Sequence, residues 1–324
     1  MSRRIFVSHT LPGEGFRHLG EHCEFEVWPG PGLIGPAALR EAASGCRGLI
    51  CLLTDRIDAG FIESMRQLEF VSSMSVGVDH VDVAALTARG IPLGHTPGVL
   101  VETTADTAFA LMLAAARRVA EADAFVRAGR WSPQQAWAPE FFVGTDVGGA
   151  TLGLVGLGEI GQAVARRAQG FGMRVLAWNR TPREVPGVEM VDLDELLGLS
   201  DFVSLHVALT ADTHHLLNAA RIARMKPGAI VVNTARGGVL DEAALAAALA
   251  DGRLAAAGID VYEREPVDAD NPLLMAPNVV LAPHIGSATL KTRARMADMA
   301  VANALAALAG QRMPHCANPG VYRD

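Results

Sequence analysis

Aromatic side chains are scarce here: four Trp, two Tyr and eleven Phe are 5% of 324 residues, although half the chain is apolar. Alanine, glycine and aliphatic side chains must fill the interior instead, which lets helices pack closely on sheets. Cysteine is also sparse. Cys23, Cys46, Cys51 and Cys316 form no C-x-x-C pair and no zinc-like spacing, so they read as reduced structural thiols in a reducing compartment. There is no basic excess: 28 Lys and Arg against 35 Asp and Glu leave a net charge of −7, which excludes a general pull toward nucleic acid or an anionic membrane. No uninterrupted apolar stretch reaches transmembrane length, and the arginines of "MSRRIFVSHTL" precede no apolar core of a signal peptide. A cytoplasmic protein with neither nucleic-acid nor membrane partners is expected.

What is present is a regular alternation. At 324 residues the chain exceeds one α/β core of usual size, and two domains are expected. The runs "RIFVSH" (4–9), "GLICLLT" (48–54) and "LEFVSSMS" (68–75) read as strands buried on both faces, with helical stretches such as "GPAALREAA" between them. "ETTADTAFALMLAAARRV" (102–119) reads as one long helix buried on most sides, followed by a polar loop bearing Pro and Trp. A second series starts at Thr151, with strands "TLGLVG", "MRVLAWN", "FVSLHVA", "AIVVNTA" and "AAAGID" alternating with helices. In the helix "DEAALAAALADG" Asp241 suits the N-cap and Gly252 the C-terminal stop. "TLKTRARMADMAVANALAALAG" is a last long helix that returns to the first domain. Such alternation implies doubly wound parallel sheets. Residues 1–100 and 286–324 form the expected substrate domain, and 101–285 the expected nucleotide domain.

"GLVGLGEIGQAV" places Gly156, Gly158 and Gly161 in G-x-G-x-x-G spacing, after a strand and at the start of a helix. In that context Gly156 permits the tight turn, Gly158 lets the backbone reach a pyrophosphate, and Gly161 lets helix and strand approach. The next strand ends in "WNRTPRE", without the acid that would accept from an NAD ribose. Asn179 removes that charge, while Arg180, Thr181 and Arg183 can hold a 2′-phosphate, so NADP is favoured over NAD, which stays open as the second cofactor.

Arg236 follows the strand "AIVVNT", where an open α/β sheet presents groups to a ligand. A small 2-oxo acid needs a planar cation for its carboxylate and a proton donor beside its carbonyl oxygen. Arg236, Glu265 in "DVYEREP" and His284 in "LAPHIGSAT" supply that set, with Glu265 holding the imidazole and favouring its protonated form.

The segments "SVGVDHVDV", "TPGVLVETTADTAFALML", the glycine-rich unit, "VNTARGGVLDEAALAAALADGRLAAAGIDVYEREP" and "PHIGSAT" together span nearly the whole chain. They resemble the D-isomer-specific 2-hydroxyacid dehydrogenases, most of all the glyoxylate/hydroxypyruvate reductases. The resemblance implies a flavodoxin-like substrate domain and a Rossmann-type coenzyme domain with the active site in the cleft between them, and a homodimer. It implies that Arg236 binds and polarises the substrate, that Glu265 pairs with His284 as acid/base, and that Val76 and Gly77 offer backbone N–H groups to the carboxylate. It gives Asp260 the nicotinamide carboxamide. It places further cofactor contacts at Gly156, Gly158, Glu159, Ile160, Gly161, Asn179, Arg180, Thr181, Arg183, Val207, Thr234, Ala235, His284 and Gly286. Trp137 either reaches a neighbouring subunit or packs within its own chain.

Departures and rivals limit the transfer. Ala208 stands where the family often has proline, with little expected effect. Phosphite dehydrogenases carry a lysine where this chain has Val76, so a second cation for an inorganic anion is missing. A 2-ketogluconate-type sugar-acid reductase stays open. A dinucleotide-sensing corepressor would carry nuclear-interaction sequence outside the core, and none is visible. His214 and His215 lack a third ligand at usual spacing, so no metal is expected. The pairs Arg117-Arg118 and Arg166-Arg167 read as solvated helix ends.

Overall fold

Short apolar runs with no polar alternation can satisfy both their backbone and their side chains only inside a parallel sheet covered on two faces. The structure, a computed structural model, describes residues 4–134 and 137–322 and contains two such sheets in two compact units, Met1–Leu100 with Ser287–Asp324, and Val101–Gly286. Among the described residues no helix is long and apolar enough to cross a membrane.

In the first unit β1 (Ile5–Val7), β2 (Phe25–Val27), β3 (Gly48–Cys51), β4 (Phe70–Ser73) and β5 (Leu93–Gly94) pair in the order β2-β1-β3-β4-β5, all parallel. This is the flavodoxin-like order. β1, β3 and β4 are buried at every position, whereas β2 is partly exposed at the sheet edge. The helix Leu290–Leu308 packs on β3, β4 and β5, and Ser72 Oγ donates to Ala300 O at 2.8 Å. Asn303, fully buried in that helix, donates to His95 O and accepts from His315 N, both at 2.9 Å, which ties the C-terminal segment to this sheet.

The second unit carries β6 (Thr151–Val155), β7 (Arg174–Trp178), β8 (Val188–Met190), β9 (Phe202–Leu205), β10 (Ala229–Asn233), β11 (Leu254–Ile259) and β12 (Val279–Leu281). Their order is β12-β11-β10-β9-β6-β7-β8, wholly parallel. That is the Rossmann order with one strand added, and it reverses between β6 and β9, the point at which such sheets bind ligands. Both sheets agree with the doubly wound class expected from the alternation. β2, β5, β8 and β12, of two or three residues each, are too short to leave a periodic signal.

The expected single helix over 102–119 is instead two. One runs Val101–Ala116, Arg118 takes a left-handed φ of 55°, and a second runs Val119–Arg127. The break has a partner: Thr145 N donates to Ala116 O at 2.8 Å, capping a carbonyl that a continuous helix would have used. The first helix packs on β10, β11, β12 and the helix Glu159–Gly170, burying Ala105, Ala108, Phe109, Leu111 and Met112, while the second is more exposed and sets Phe125 edge-on against Phe141 and Phe142.

Arg117 is exposed, as a solvated end would be, but the other three paired arginines are more than that. Arg167 bridges to Glu102 at 2.9 Å and Asp106 at 2.5 Å, and Arg166 reaches Glu102 at 2.6 Å, so both tie Glu159–Gly170 to Val101–Ala116. Arg118 pairs with Glu121 at 2.7 Å and lies over the Phe142 ring. Trp137 does not pack within its own chain: it is 93% exposed.

Candidate active site

β6 delivers the chain into the glycine-rich turn at the switch point. Gly156 has φ +106°, and a Cβ there would lie 2.7 Å from the His206 carbonyl group, while a Cβ on Gly161 would lie 2.2 Å from Gly156 O. Both positions therefore require glycine, one for its backbone and both for space. Gly158 has nothing among the described residues within 4 Å of a would-be Cβ and is the N-cap of Glu159–Gly170, so the helix N-terminus opens onto space suited to an anion. Ile160 packs against the core of this unit, and Glu159 is exposed in the first turn.

A cavity of about 880 Å³ extends from Gly158 along Asn179, Arg180, Thr181, Arg183 and Val207. Its size and its exposed arginines fit the adenosine half of a dinucleotide. Thr234, after β10, keeps a buried Oγ1 with no partner among the described residues, the kind of polar atom a bound cofactor would satisfy. Ala235 follows it, half-buried. Ala208 O accepts from Thr213 Oγ1 at 2.6 Å, so the loop at the missing proline makes its contact through backbone.

The ionisable set lies beyond β10, β11 and β12. His284 Nδ1 meets Glu265 Oε2 at 2.6 Å, with both side chains 23% exposed. Glu265 Oε1 accepts from Tyr262 N at 3.0 Å, so each carboxylate oxygen has a fixed role. Asp260, almost fully buried, accepts from Ile285 N at 2.7 Å and Gly286 N at 2.8 Å, and burial pushes its carboxyl above the usual range. Those bonds shape the turn bearing His284, a use of Asp260 beyond the expected carboxamide contact. Arg236, extended after β10, donates from Nη1 to Ala235 O at 2.8 Å, and its own carbonyl accepts from Asn233 Nδ2 at 2.9 Å.

Sequence reasoning missed the supports of this set. Glu242, only 6% exposed, accepts from Glu263 N at 2.7 Å and Asn271 Nδ2 at 2.6 Å, which anchors the loop that carries Glu265. Burial pushes its carboxyl upward too. A Cβ on Gly237 would lie 1.8 Å from Tyr262 C, so the loops bearing Arg236 and Glu265 touch through backbone. His214 and His215 stack at 4.1 Å, and His215 Nε2 meets Glu263 Oε1 at 2.9 Å. Glutamate at a helix start ordinarily reads as solvated, so nothing in the pattern marks Glu242.

In the other unit Val76 and Gly77 follow β4. Their carbonyls are both engaged, Gly77 O by Ser75 Oγ at 2.7 Å and Val76 O by His95 Nδ1 at 3.1 Å. Ser73 Oγ joins Ser75 Oγ at 2.7 Å to His80 Nε2 at 2.9 Å. This partly buried chain of hydroxyls and imidazoles, also unmarked in the sequence, fixes the loop.

Under the glycine turn, His206 N donates to Val155 O at 2.7 Å and its ring meets Ser204 Oγ at 2.9 Å. Burial drives this imidazole from 6.5 down to about 4. The folded protein thus holds it neutral where the unfolded chain would protonate it. Its contribution to stability is full above pH 6.5 and is lost as pH falls through 4. His206→Gln should lose less stability than the native protein between pH 7 and pH 5 in urea titrations; equal losses would refute the assignment.

Relatives of the chain show its family. A family model described as "D-isomer specific 2-hydroxyacid dehydrogenase, NAD binding domain" matches residues 109–286. The glyoxylate reductase of Korarchaeum cryptofilum is 48% identical, covering 100% of this chain and 98% of its own. That of Thermococcus litoralis is 43% identical over 99% and 98%. A crystal structure of a Thermus thermophilus protein superposes with TM-score 0.90 at 49% identity, covering 97% of this chain and 99% of that one. The NADPH-dependent glyoxylate/hydroxypyruvate reductase of Sinorhizobium meliloti, in complex with NADP and malonate, does so with TM-score 0.88 at 32% identity over 100% and 99%. With a parallel-sheet nucleotide fold matched along its whole length, the chain belongs to the D-isomer-specific 2-hydroxyacid dehydrogenase family and is an oxidoreductase with a nicotinamide-dinucleotide-binding domain.

Proposed function

We propose that the protein reduces a small 2-oxo acid, glyoxylate or hydroxypyruvate, to the D-2-hydroxy acid with NADPH as the preferred reductant. The observation that carries this reading is the 2.6 Å contact between His284 and Glu265 beyond the strand ends of a nucleotide-binding sheet. When bound, the reduced nicotinamide supplies the hydride. The remaining work belongs to the chain. Arg236 holds the substrate carboxylate through two parallel N–H groups and polarises the carbonyl, and Val76 and Gly77 donate backbone N–H groups to the carboxylate. His284 gives a proton to the carbonyl oxygen, and Glu265 keeps the ring oriented. Asp260 positions the cofactor's carboxamide while its backbone bonds hold the turn that carries His284.

Relatives named glyoxylate reductase and a structure named for NADPH-dependent glyoxylate/hydroxypyruvate reduction support this choice of substrate. Steady-state rates with glyoxylate, hydroxypyruvate, 2-ketogluconate and pyruvate, each with NADPH and NADH, test it. Highest kcat/KM with either of the first two and NADPH is the expected result, and a preference for 2-ketogluconate would move the assignment to the sugar-acid branch.

Arg180 and Arg183 at the cavity wall support the cofactor choice. Arg180→Ala should weaken NADPH binding by roughly 1–3 kcal/mol, as loss of a charge-assisted hydrogen bond does, and leave NADH nearly unchanged. Equal loss for both cofactors would make Arg180 structural. A homodimer completes the proposal: Val119, Val126, Trp131 and Trp137 are more than half exposed on one continuous stretch of chain. Four free thiols fit a cytoplasmic setting.

A further inference from the structure

The absent acid after β7 explains why a 2′-phosphate is tolerated there, but not why an amide stands in its place. Asn179 is half-buried between two backbone groups of opposite character. Its Oδ1 accepts from Leu157 N, inside the glycine-rich turn, at 3.0 Å, and its Nδ2 donates to Thr181 O at 2.6 Å. Only one orientation of the amide satisfies both, since an N–H needs an acceptor and a carbonyl needs a donor. A second tie runs parallel to it, Gly156 N donating to Trp178 O at 2.8 Å. The side chain therefore clamps the turn facing the pyrophosphate to the short loop bearing Arg180, Thr181 and Arg183, all exposed on the cavity wall.

An aspartate could keep the Leu157 contact but would set a carboxylate against the Thr181 carbonyl, with no proton between them. Alanine would keep neither bond while adding no charge. These two substitutions separate tolerance of a phosphate from active arrangement of its binding loop.

We propose that Asn179 is a specificity-determining residue that acts through its Nδ2 donor, holding the 180–183 loop where Thr181 and Arg183 can reach a 2′-phosphate. The inference rests on the NADPH reading above and goes beyond it, because it gives the amide a positive role instead of a missing charge.

Calorimetric titration with NADP⁺, NAD⁺ and 2′-AMP tests it on native protein, Asn179→Ala and Asn179→Asp, with thermal melting as a control for folding. Asn179→Ala should lose about five- to tenfold of the NADP⁺ over NAD⁺ affinity ratio, the scale of one hydrogen bond, and weaken 2′-AMP to match. Any effect of the lost Leu157 contact on the pyrophosphate falls on both dinucleotides and cancels in the ratio. Asn179→Asp should lose more of the ratio, since charge repulsion adds to the released loop. If Asn179→Ala keeps the native ratio and native 2′-AMP affinity, the clamp is refuted while the NADPH preference stands. If the native protein itself binds NAD⁺ as tightly as NADP⁺, the cofactor reading falls and this inference with it.

Discussion

Replacing His284 by alanine should lower kcat for 2-oxo acid reduction about a hundredfold or more, the usual scale for loss of a general acid, with the cofactor still bound. The basis is geometric. The imidazole has one nitrogen on Glu265 at 2.6 Å, the other being the one the proposed mechanism gives to the substrate, and its backbone N donates to Asp260 O at 2.8 Å. Glu265→Gln keeps a polar group of the same size without its charge, so its loss in kcat should be smaller than that of His284→Ala. Single-turnover rates at saturating reductant check both, because they separate the chemical step from release of product. A His284→Ala enzyme with near-native single-turnover rates would remove the residue from the proton transfer.

Arg236→Lys has the second large effect expected, a fall of about ten- to a hundredfold in kcat/KM, carried by a higher KM together with a lower kcat. A lysine ammonium keeps the charge but cannot present two parallel N–H groups to a planar carboxylate. The fold should not suffer, since the Asn233 side chain holds this stretch by its backbone, Nδ2 donating to Arg236 O at 2.9 Å and Oδ1 accepting from Ala235 N at 3.0 Å, while the Arg236 side chain adds a bond from Nη1 to Ala235 O at 2.8 Å. Melting temperature and cofactor affinity measured beside the kinetics decide between anchoring and support. Unchanged kinetics, or a large drop in melting temperature, would return Arg236 to a structural role.

Much of the frame is legible in the sequence because parallel sheets leave strong traces. β3, β4, β6, β9 and β10 lie within runs that are apolar on both faces, and the glycine spacing of 156, 158 and 161 becomes specific for a nucleotide turn once it joins a strand to a helix. The runs overshoot their strands, however: "GLICLLT" continues to 54 while β3 ends at Cys51, and "FVSLHVA" to 208 while β9 ends at Leu205. Residues just past a strand end stay apolar because they pack over the sheet's carboxyl edge, so hydropathy does not mark where pairing stops. A single helix over 102–119 fails for a related reason. Apolar residues resume at Val119 directly after Arg117 and Arg118, while the break is made by the left-handed Arg118 and by Thr145, distant in sequence, which takes the Ala116 carbonyl.

By itself, then, the sequence determined the class of both sheets and the glycine turn, and it named Arg236, Glu265 and His284 as the set proposed to act together, since each of these depends on residue type at short spacing. Tertiary structure alone decided how they are held. The burial of Glu242, its bonds to Glu263 and Asn271, the Ser73–Ser75–His80 chain, and the two-sided bonding of Asn179 all join residues between two and 29 positions apart. Hydrogen bonds are directional and local in space, and their energy depends on whether water is excluded. Linear order records neither, which is why a glutamate that starts a helix looks solvated until the loop of its neighbour is folded over it.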